Sequence, residues 1–506
     1  MFRDGARKSA WQNEVKWYGT VFSKDREFDA VIIGGGITGI STALKLQQKG
    51  LKCLLLEANN IGFGTTGGTT AHLNDFFDTT FSYAIAKFGL EKAQLLAQAG
   101  REGLRTVHMN VAEYGIECDY EGKTAELFAL GEEQANQLAE IVDGARKIGY
   151  EMNYTDSIEY PFHFERAVSI PGQAQFHPVK YITALADIFV ANGGALAENC
   201  LCSSFNETSE GVVLETGLGE IRAKNAVFAT HTPPGISLLH FTCAPYRSYV
   251  IAFTLREGTF PTTLGYDLGD PYHYYRVHEI DGKKMIIAGG EDHKTGHSDD
   301  TGACFSRLED HCRKHFPVDQ VEYAWSSQYF EPIDGLPSIG VLPSSDGRIY
   351  VATGFRGNGM TFGSLSSGIL TDLITEGASK YKEIFDPKRF KPNAGFSNLL
   401  KENATVLKDL LVDKIWMERV RSLADIGSGQ AKVVKHQGNS YAIFAEQNGK
   451  LHVLRSTCPH ANCEVRWNNA ELSWDCPCHG SRFNVNGKIL NGPSTTPLEQ
   501  ITDPEL

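Results

Sequence analysis

The sequence predicts an α/β fold built on a parallel sheet, with an antiparallel sheet interleaved in it and a small all-β domain after it. Three observations carry this reading. A strand–glycine turn–helix–strand unit lies at residues 28–57, period-two alternation runs between 240 and 330, and short β runs after 426 hold two cysteine–histidine pairs. At 506 residues the chain has room for two or three domains. Its 42% apolar and 22% charged content is ordinary for a soluble globular protein. With 61 acidic against 48 basic residues the net charge is −13, which argues against nucleic acid and anionic membrane surfaces as partners. No apolar run reaches about 18 residues, so no transmembrane segment is expected. The opening Met1-Phe2-Arg3-Asp4-Gly5 lacks the order of a signal peptide, and no twin-arginine signal is present.

Residues 1–27 are polar, with Trp11 and Trp17, and read as an N-terminal arm lying on the next domain. Phe28-Asp29-Ala30-Val31-Ile32-Ile33 is a short β-branched run, the mark of a buried parallel strand. It passes into Gly34-Gly35-Gly36-Ile37-Thr38-Gly39, so that Gly34, Gly36 and Gly39 satisfy G-x-G-x-x-G. A helix follows to Gln48, closed by Gly50, and then a second strand, Cys53 to Leu56, ends in Glu57. In such a unit the glycines bring backbone close to a pyrophosphate at a helix N-terminus, and the acid takes the ribose hydroxyls.

The cofactor reads as a flavin, and since no second glycine motif follows a strand elsewhere, a flavoenzyme with its own nicotinamide domain is not expected. Two later segments agree. Asn225 to Thr230 resembles the strand ending in Ala-Thr that flanks FAD in FAD-binding folds. Tyr350-Val351-Ala352-Thr353 runs into Gly354 to Thr361, where Gly357, Asn358, Gly359 and Met360 open a helix. Free N–H groups and a positive dipole end there suit the flavin edge that gains negative charge on reduction. Between these segments, the loop Gly62 to His72 offers Thr65, Thr66 and Gly67 as pyrophosphate and ring contacts, with His72 a polar neighbour. Segments between 240 and 330, such as Tyr249 to Phe253 and Lys284 to Ala288, alternate apolar and polar residues and read as an antiparallel sheet.

From Gly377 to about Trp416 the chain is charged and helical, a connector. Beyond it, Cys458-Pro459-His460 and Cys476-Pro477-Cys478-His479 place two thiolates and two imidazoles as Cys-x-His and Cys-x-x-His. This set suits a [2Fe–2S] centre with two histidines on one iron, and it also suits a Cys2His2 zinc site. Of the eleven cysteines, seven (Cys53, Cys118, Cys200, Cys202, Cys243, Cys304, Cys312) are scattered without pattern. They read as reduced, buried small hydrophobes and point to the cytoplasm.

The C-terminal stretch resembles Rieske domains of the respiratory and photosynthetic type. The resemblance rests on Cys458, Cys463, the run Cys476 to Phe483, and Gly492-Pro493. It implies Cys458, His460, Cys476 and His479 as cluster ligands and a disulfide between Cys463 and Cys478. It also implies that Ser481 donates a hydrogen bond to a cluster sulfur. Phe483 stands where high-potential members have a second donor, a tyrosine. Losing that donor implies a potential in the middle or lower part of the Rieske range of roughly −150 to +300 mV.

Residues 28–380 resemble the D-amino-acid oxidase superfamily, which includes glycine and sarcosine oxidases, dimethylglycine dehydrogenase and γ-glutamylputrescine oxidase. Asp334-Gly335-Leu336-Pro337-Ser338-Ile339-Gly340 matches its Asp-Gly-x-Pro-x-Ile-Gly segment. The combination resembles a group of bacterial FAD-dependent Rieske oxidoreductases. The implied fold is an α/β FAD-binding Rossmann-like domain (28–240 and 331–380) with an interleaved antiparallel β substrate domain (241–330). A helical connector (381–415) and an all-β Rieske domain (416–506) follow. In the glycine-oxidase branch an arginine clamps the substrate carboxylate six residues before the Asp-Gly segment's glycine. Here that position is Tyr329, and a phenol does not replace a guanidinium. A simple α-amino acid is thereby put in doubt. Glu331 could face a cationic substrate, while Arg247, Tyr274, Tyr275, Arg276 and His177 are further pocket candidates.

The resemblance implies a dehydrogenase of an amine or amino-acid-like C–N bond, with electrons relayed from flavin to cluster and on to an external one-electron acceptor. The alternative is an electron-transfer module loaded by an external reductant and feeding a partner oxygenase. A redox-sensing or structural cluster is a third, minor reading.

Overall fold

Buried β-branched strands make the parallel layer that the opening run anticipates. The computed structural model describes residues 3–13, 15–22, 26–389, 418–419, 426–436 and 438–501. Strand Glu27–Ile33 pairs in parallel with Cys53–Leu56 on one side and Gly219–Phe228 on the other. Ala30, Val31, Ile32, Leu54, Leu55 and Leu56 are sealed from solvent on both faces. Each large aliphatic side chain so buried contributes about 1.5–3 kcal/mol. The sheet continues in parallel through Ala195–Ala197 and Ile349–Thr353, and an antiparallel extension, Val212–Thr216 and Cys202–Glu207, completes one edge.

Helix Ile37–Gln48 starts at the glycine turn and packs on helix Gly359–Thr375. Glycine permits this approach: a Cβ on Gly363 would come within 2.8 Å of the Ile37 side chain. Helix Leu90–Tyr114, ended by Gly115 in the left-handed conformation, backs the pair. Its Gly103 would clash with the Thr361 carbonyl at 2.5 Å if it carried a Cβ. Two helix N-termini thus open towards one side of the parallel sheet.

The second sheet has nine strands and draws on more of the chain than 241–330. Its path runs Val318–Pro332, Cys243–Leu255, Lys283–Lys294, His273–Ile280, Leu264–Asp267, Glu121–Ala129, Arg166–Gln175 and His72–Leu73, with Asn153–Thr155 alongside. Strands at 121–129 and 166–175, inside the segment assigned from sequence to the FAD half, carry one flank of the substrate sheet. The pairing of 264–267 with 121–129 is parallel, so the sheet is mixed.

The arm does more than lie on the flavin domain. The Trp11 indole donates to the Thr69 carbonyl at 2.5 Å, while Arg3 pairs with Glu471 at 3.2 Å and Arg482 with Asp4 at 3.2 Å. It is wedged between the two sheets and the C-terminal domain. The expected connector 381–415 begins as helix Lys382–Phe385 and a 3-10 turn, Pro387–Arg389, pinned by Arg389 to Asp334 at 2.7 Å. Its remainder lies outside the described residues. The last domain holds two four-stranded sheets, one ending in 431–436, 439–445 and 451–455, the other built from 466–468, 473–475, 482–484 and 489–491.

Candidate functional site

One cavity of about 880 Å³ runs from the glycine turn to the antiparallel sheet. At its first end Gly34 adopts φ +111°, and a Cβ on Gly39 would sit 1.9 Å from the Gly34 carbonyl oxygen. Gly34 and Gly36 line the cavity, whereas Gly39 stands behind them and allows the turn to close. Glu57 accepts the N–H of Gly35 on one oxygen (2.7 Å) and of Asn59 on the other (2.8 Å). Burial pushes its carboxyl upward against these hydrogen bonds.

Thr65, Thr66 and Thr230 also line the cavity, with Thr66 Oγ1 accepting the Ile37 N–H at 3.1 Å. Gly67 does not: it faces the arm, and its carbonyl accepts from Ser9. Gly357, Asn358, Gly359 and Met360 line the far side, where helix Gly359–Thr375 begins without a side-chain cap. A glycine cradle, two helix starts and an enclosed acid fit FAD.

Strand alternation sorts the substrate candidates. From Cys243–Leu255, Tyr246 and Ser248 line the cavity, so Arg247 points to the opposite face. There Arg247 is fully buried, donating to Ser326 Oγ at 2.6 Å beside Glu471. Tyr274 lines the cavity, while Tyr275 faces an aromatic core and bonds His311 at 2.7 Å. His177 caps helix Pro178–Ala191, accepting the Lys180 N–H. Arg276 spends its guanidinium on the carbonyls of Thr70, Ala71 and Phe176. Tyr329 and Glu331 line the cavity.

Sequence reasoning missed Asp292, Tyr272, Tyr246, Ser248 and Asp78, which line the same end. Tyr329 donates to Asp292 at 2.9 Å, and burial pushes this carboxyl up to about 7. The signal available was an acid ending an apolar strand, Ile286-Ile287-Ala288-Gly289-Gly290-Glu291-Asp292.

The second site lies in the C-terminal domain. Cys458 and Cys476 are buried in one cluster with Cys463, Cys478 and Phe483. The rings of His460 and His479 stand 5.0 Å apart at 85°. Both ring nitrogens of His479 and Nδ1 of His460 are buried without a hydrogen-bond partner. Buried imidazole nitrogens left unpaired are costly unless a metal takes them. The donor set therefore fits a cluster bound through Cys458, Cys476, His460 and His479. The sulfurs of Cys463 and Cys478 are bonded to each other, joining the two loops. Phe483 is fully buried beside them.

The segment 230–241 joins the two sites. Thr230, His231, Thr232 and Pro234 line the cavity, Gly235 accepts a hydrogen bond from His460, and His240 lies 4.7 Å from the His460 ring and 5.6 Å from that of His479. A second link passes from Thr65 to the Gln328 carbonyl (2.8 Å), and from the Gln328 amide to the carbonyl of Gly480 (2.9 Å). Residues 488–495 of the last domain close part of the cavity wall.

The model of the family described as FAD dependent oxidoreductase (DAO) matches residues 29–373. The chain belongs to this family. The Rieske [2Fe-2S] domain model matches residues 416–502, so this FAD-dependent oxidoreductase carries a C-terminal Rieske domain and its cofactors are FAD and a [2Fe–2S] cluster. The chain is 32% identical over 480 residues to YhfW of Bacillus subtilis (strain 168), named as a Rieske 2Fe-2S iron-sulfur protein, with 94% of each chain covered. It is 24% identical to gamma-glutamylputrescine oxidoreductase of Escherichia coli (strain K12), covering 70% of this chain and 85% of that one. Its fold resembles the crystal structure of glycine oxidase from Geobacillus kaustophilus, with a TM-score of 0.61 and 20% identity over 72% of this chain and all of that one. No helix among the described residues is long and apolar enough to cross a membrane.

Proposed function

We propose that this FAD-dependent oxidoreductase is a dehydrogenase of an amine or amino-acid-like C–N bond whose electrons leave through the Rieske domain to an external one-electron acceptor. When bound, FAD supplies hydride acceptance at the carbon beside nitrogen, and the cluster supplies single-electron exchange. The name of the Escherichia coli relative, gamma-glutamylputrescine oxidoreductase, supports the C–N assignment.

The observation that carries the relay is segment 230–241, which lines the FAD cavity at Thr230 and touches both cluster histidines at Gly235 and His240. The residues divide the work. Gly34, Gly36, Thr66 and the start of helix Gly359–Thr375 hold FAD, and Glu57 closes the turn beneath it. The tyrosines at the far end exclude water and orient substrate. Cys458, Cys476, His460 and His479 hold the cluster. Ser326, Arg247 and Arg3 fix the Rieske domain through Glu471. A cytoplasmic location belongs to this proposal and is supported by seven buried, unbonded cysteines outside the Rieske domain.

The test is the His460→Ala variant under anaerobic conditions. Substrate should still bleach its flavin in a single turnover, while reduction of cytochrome c should be lost. Undiminished cytochrome c reduction would overturn the relay.

A further inference from the structure

We infer that the substrate is an amine cation with no carboxylate beside its nitrogen, held by Asp292 within a wall of tyrosines, and that Asp292 takes its proton. The inference rests on the C–N dehydrogenase reading above and names the substrate class for that site. Four phenol rings surround this end of the cavity. Tyr246 and Tyr329 stack at 5.8 Å, and Tyr272 and Tyr274 lie 5.5 Å apart. Aromatic faces attract a desolvated cation. Among them Asp292 uses one oxygen to accept from Tyr329, and its other oxygen is buried without a hydrogen-bond partner.

The charge balance excludes an anionic head group. Arg356 and Lys488 are the lysines and arginines lining the cavity among the described residues. Lys488 is an exposed residue of the Rieske domain. Arg356 is paired with Glu331 at 3.1 Å and donates to Thr79 at 3.0 Å. Against them stand Asp78, Asp292 and Glu331. A carboxylate entering here would have to displace Glu331 from Arg356 while facing two further acids. Arg247 and Arg276, the other arginines of this sheet region, are committed elsewhere. An ammonium meets the opposite situation.

The step balances as follows. The N–H proton of the ammonium would pass to the Asp292 carboxylate, and the freed lone pair would assist loss of the adjacent C–H hydrogen as hydride, which FAD would accept when bound. The resulting iminium is hydrolysed by water to a carbonyl compound and the free amine or ammonia. Burial holds the Asp292 carboxyl up to about 7, so it is matched to taking a proton at neutral pH. The groups facing it are Ser248 and Tyr246 from one strand, Tyr274 and the preceding Tyr272, Tyr329 and Glu331 from a third segment, and Asp78 with Arg356 at the mouth.

The experiment uses the holoenzyme and matched pairs differing by one carboxylate: putrescine against ornithine, cadaverine against lysine, and benzylamine against phenylglycine. Anaerobic flavin bleaching is followed by stopped flow from pH 5.5 to 9, and binding of tert-butylamine, which has no hydrogen on the carbon beside nitrogen, is read from the flavin spectrum. At least one amine should reduce the flavin about 10²-fold faster than its carboxylated partner. Asp292→Asn should lower that rate by about 10²-fold, weaken tert-butylamine binding, and flatten the pH profile while keeping full flavin content. Tyr329→Phe, which only removes a hydrogen bond to the carboxylate, should move the profile to higher pH. Faster reduction by the amino acids would overturn the substrate class and leave the dehydrogenase reading standing, while reduction by none would overturn that reading. Parental rates and pH profiles in both variants would overturn the role of Asp292.

Discussion

His460 donates its Nε2–H to the backbone oxygen of Gly235 at 2.9 Å, joining a cluster ligand to the segment that walls the FAD cavity. A backbone carbonyl cannot rotate away as a side chain can, so the contact fixes the imidazole's tautomer and leaves Nδ1 for the metal. Rieske loop and flavin domain are thereby held in one register.

That register depends on a buried charge network. Glu471 accepts from the Ser326 N–H and hydroxyl and pairs with Arg3, with Arg247 beside it. Burial pushes its carboxyl up, but Arg3, Arg247 and Arg482 pull it below the usual carboxylate range. A lowered folded value means that the stabilisation is complete above the unfolded pKa of about 4.3 and is lost as pH falls through the folded one. Glu471→Ala leaves two buried arginines short of a partner and should cost about 3–5 kcal/mol. Urea unfolding of parent and variant at pH 7 checks this, and the gap should narrow as the pH falls below about 4.3.

Gly39→Ala places a methyl where the Gly34 carbonyl already sits, at 1.9 Å. The turn must open, so the purified variant should retain little flavin while keeping its iron. The flavin-to-iron ratio measures this directly.

Ser481 is fully buried with its carbonyl accepting the Cys476 N–H at 2.8 Å, and a hydroxyl there that donates to a cluster sulfur favours the reduced state. Removing a charge-assisted bond of about 1.5 kcal/mol corresponds to about 60 mV for one electron. Ser481→Ala should lower the cluster potential by that order in an EPR-monitored redox titration. Phe483→Tyr, which adds a donor beside the cluster loops, should raise it in the same titration.

The parts of the chain legible in sequence are those where backbone geometry restricts residue choice locally. Gly34 and Gly36 at a strand end, the helix start at Gly359, and Cys458, His460, Cys476 and His479 each announce themselves within a few positions. The substrate end was hidden because it depends on which face of a strand a residue takes. The pairing of Cys243–Leu255 with Lys283–Lys294 shifts register between Arg247 and Tyr249, the extra residue lying on Lys283–Lys294 between Gly290 and His293, where Asp292 sits. By plain alternation Arg247 and Tyr275 fall behind the sheet, whereas Ser248 and Tyr274 face the cavity. The flank at 121–129 and 166–175 was missed because its pairing is non-local. Asp292 was passed over in a strand whose neighbours read as core.

The most direct test of the relay is an anaerobic single-turnover experiment on the holoenzyme that follows flavin absorbance and the EPR signal of the reduced cluster together after mixing with a reducing amine. The account predicts that the flavin bleaches first and that the cluster signal then rises within one turnover, with no added mediator. A flavin that stays reduced beside an oxidised cluster would contradict it.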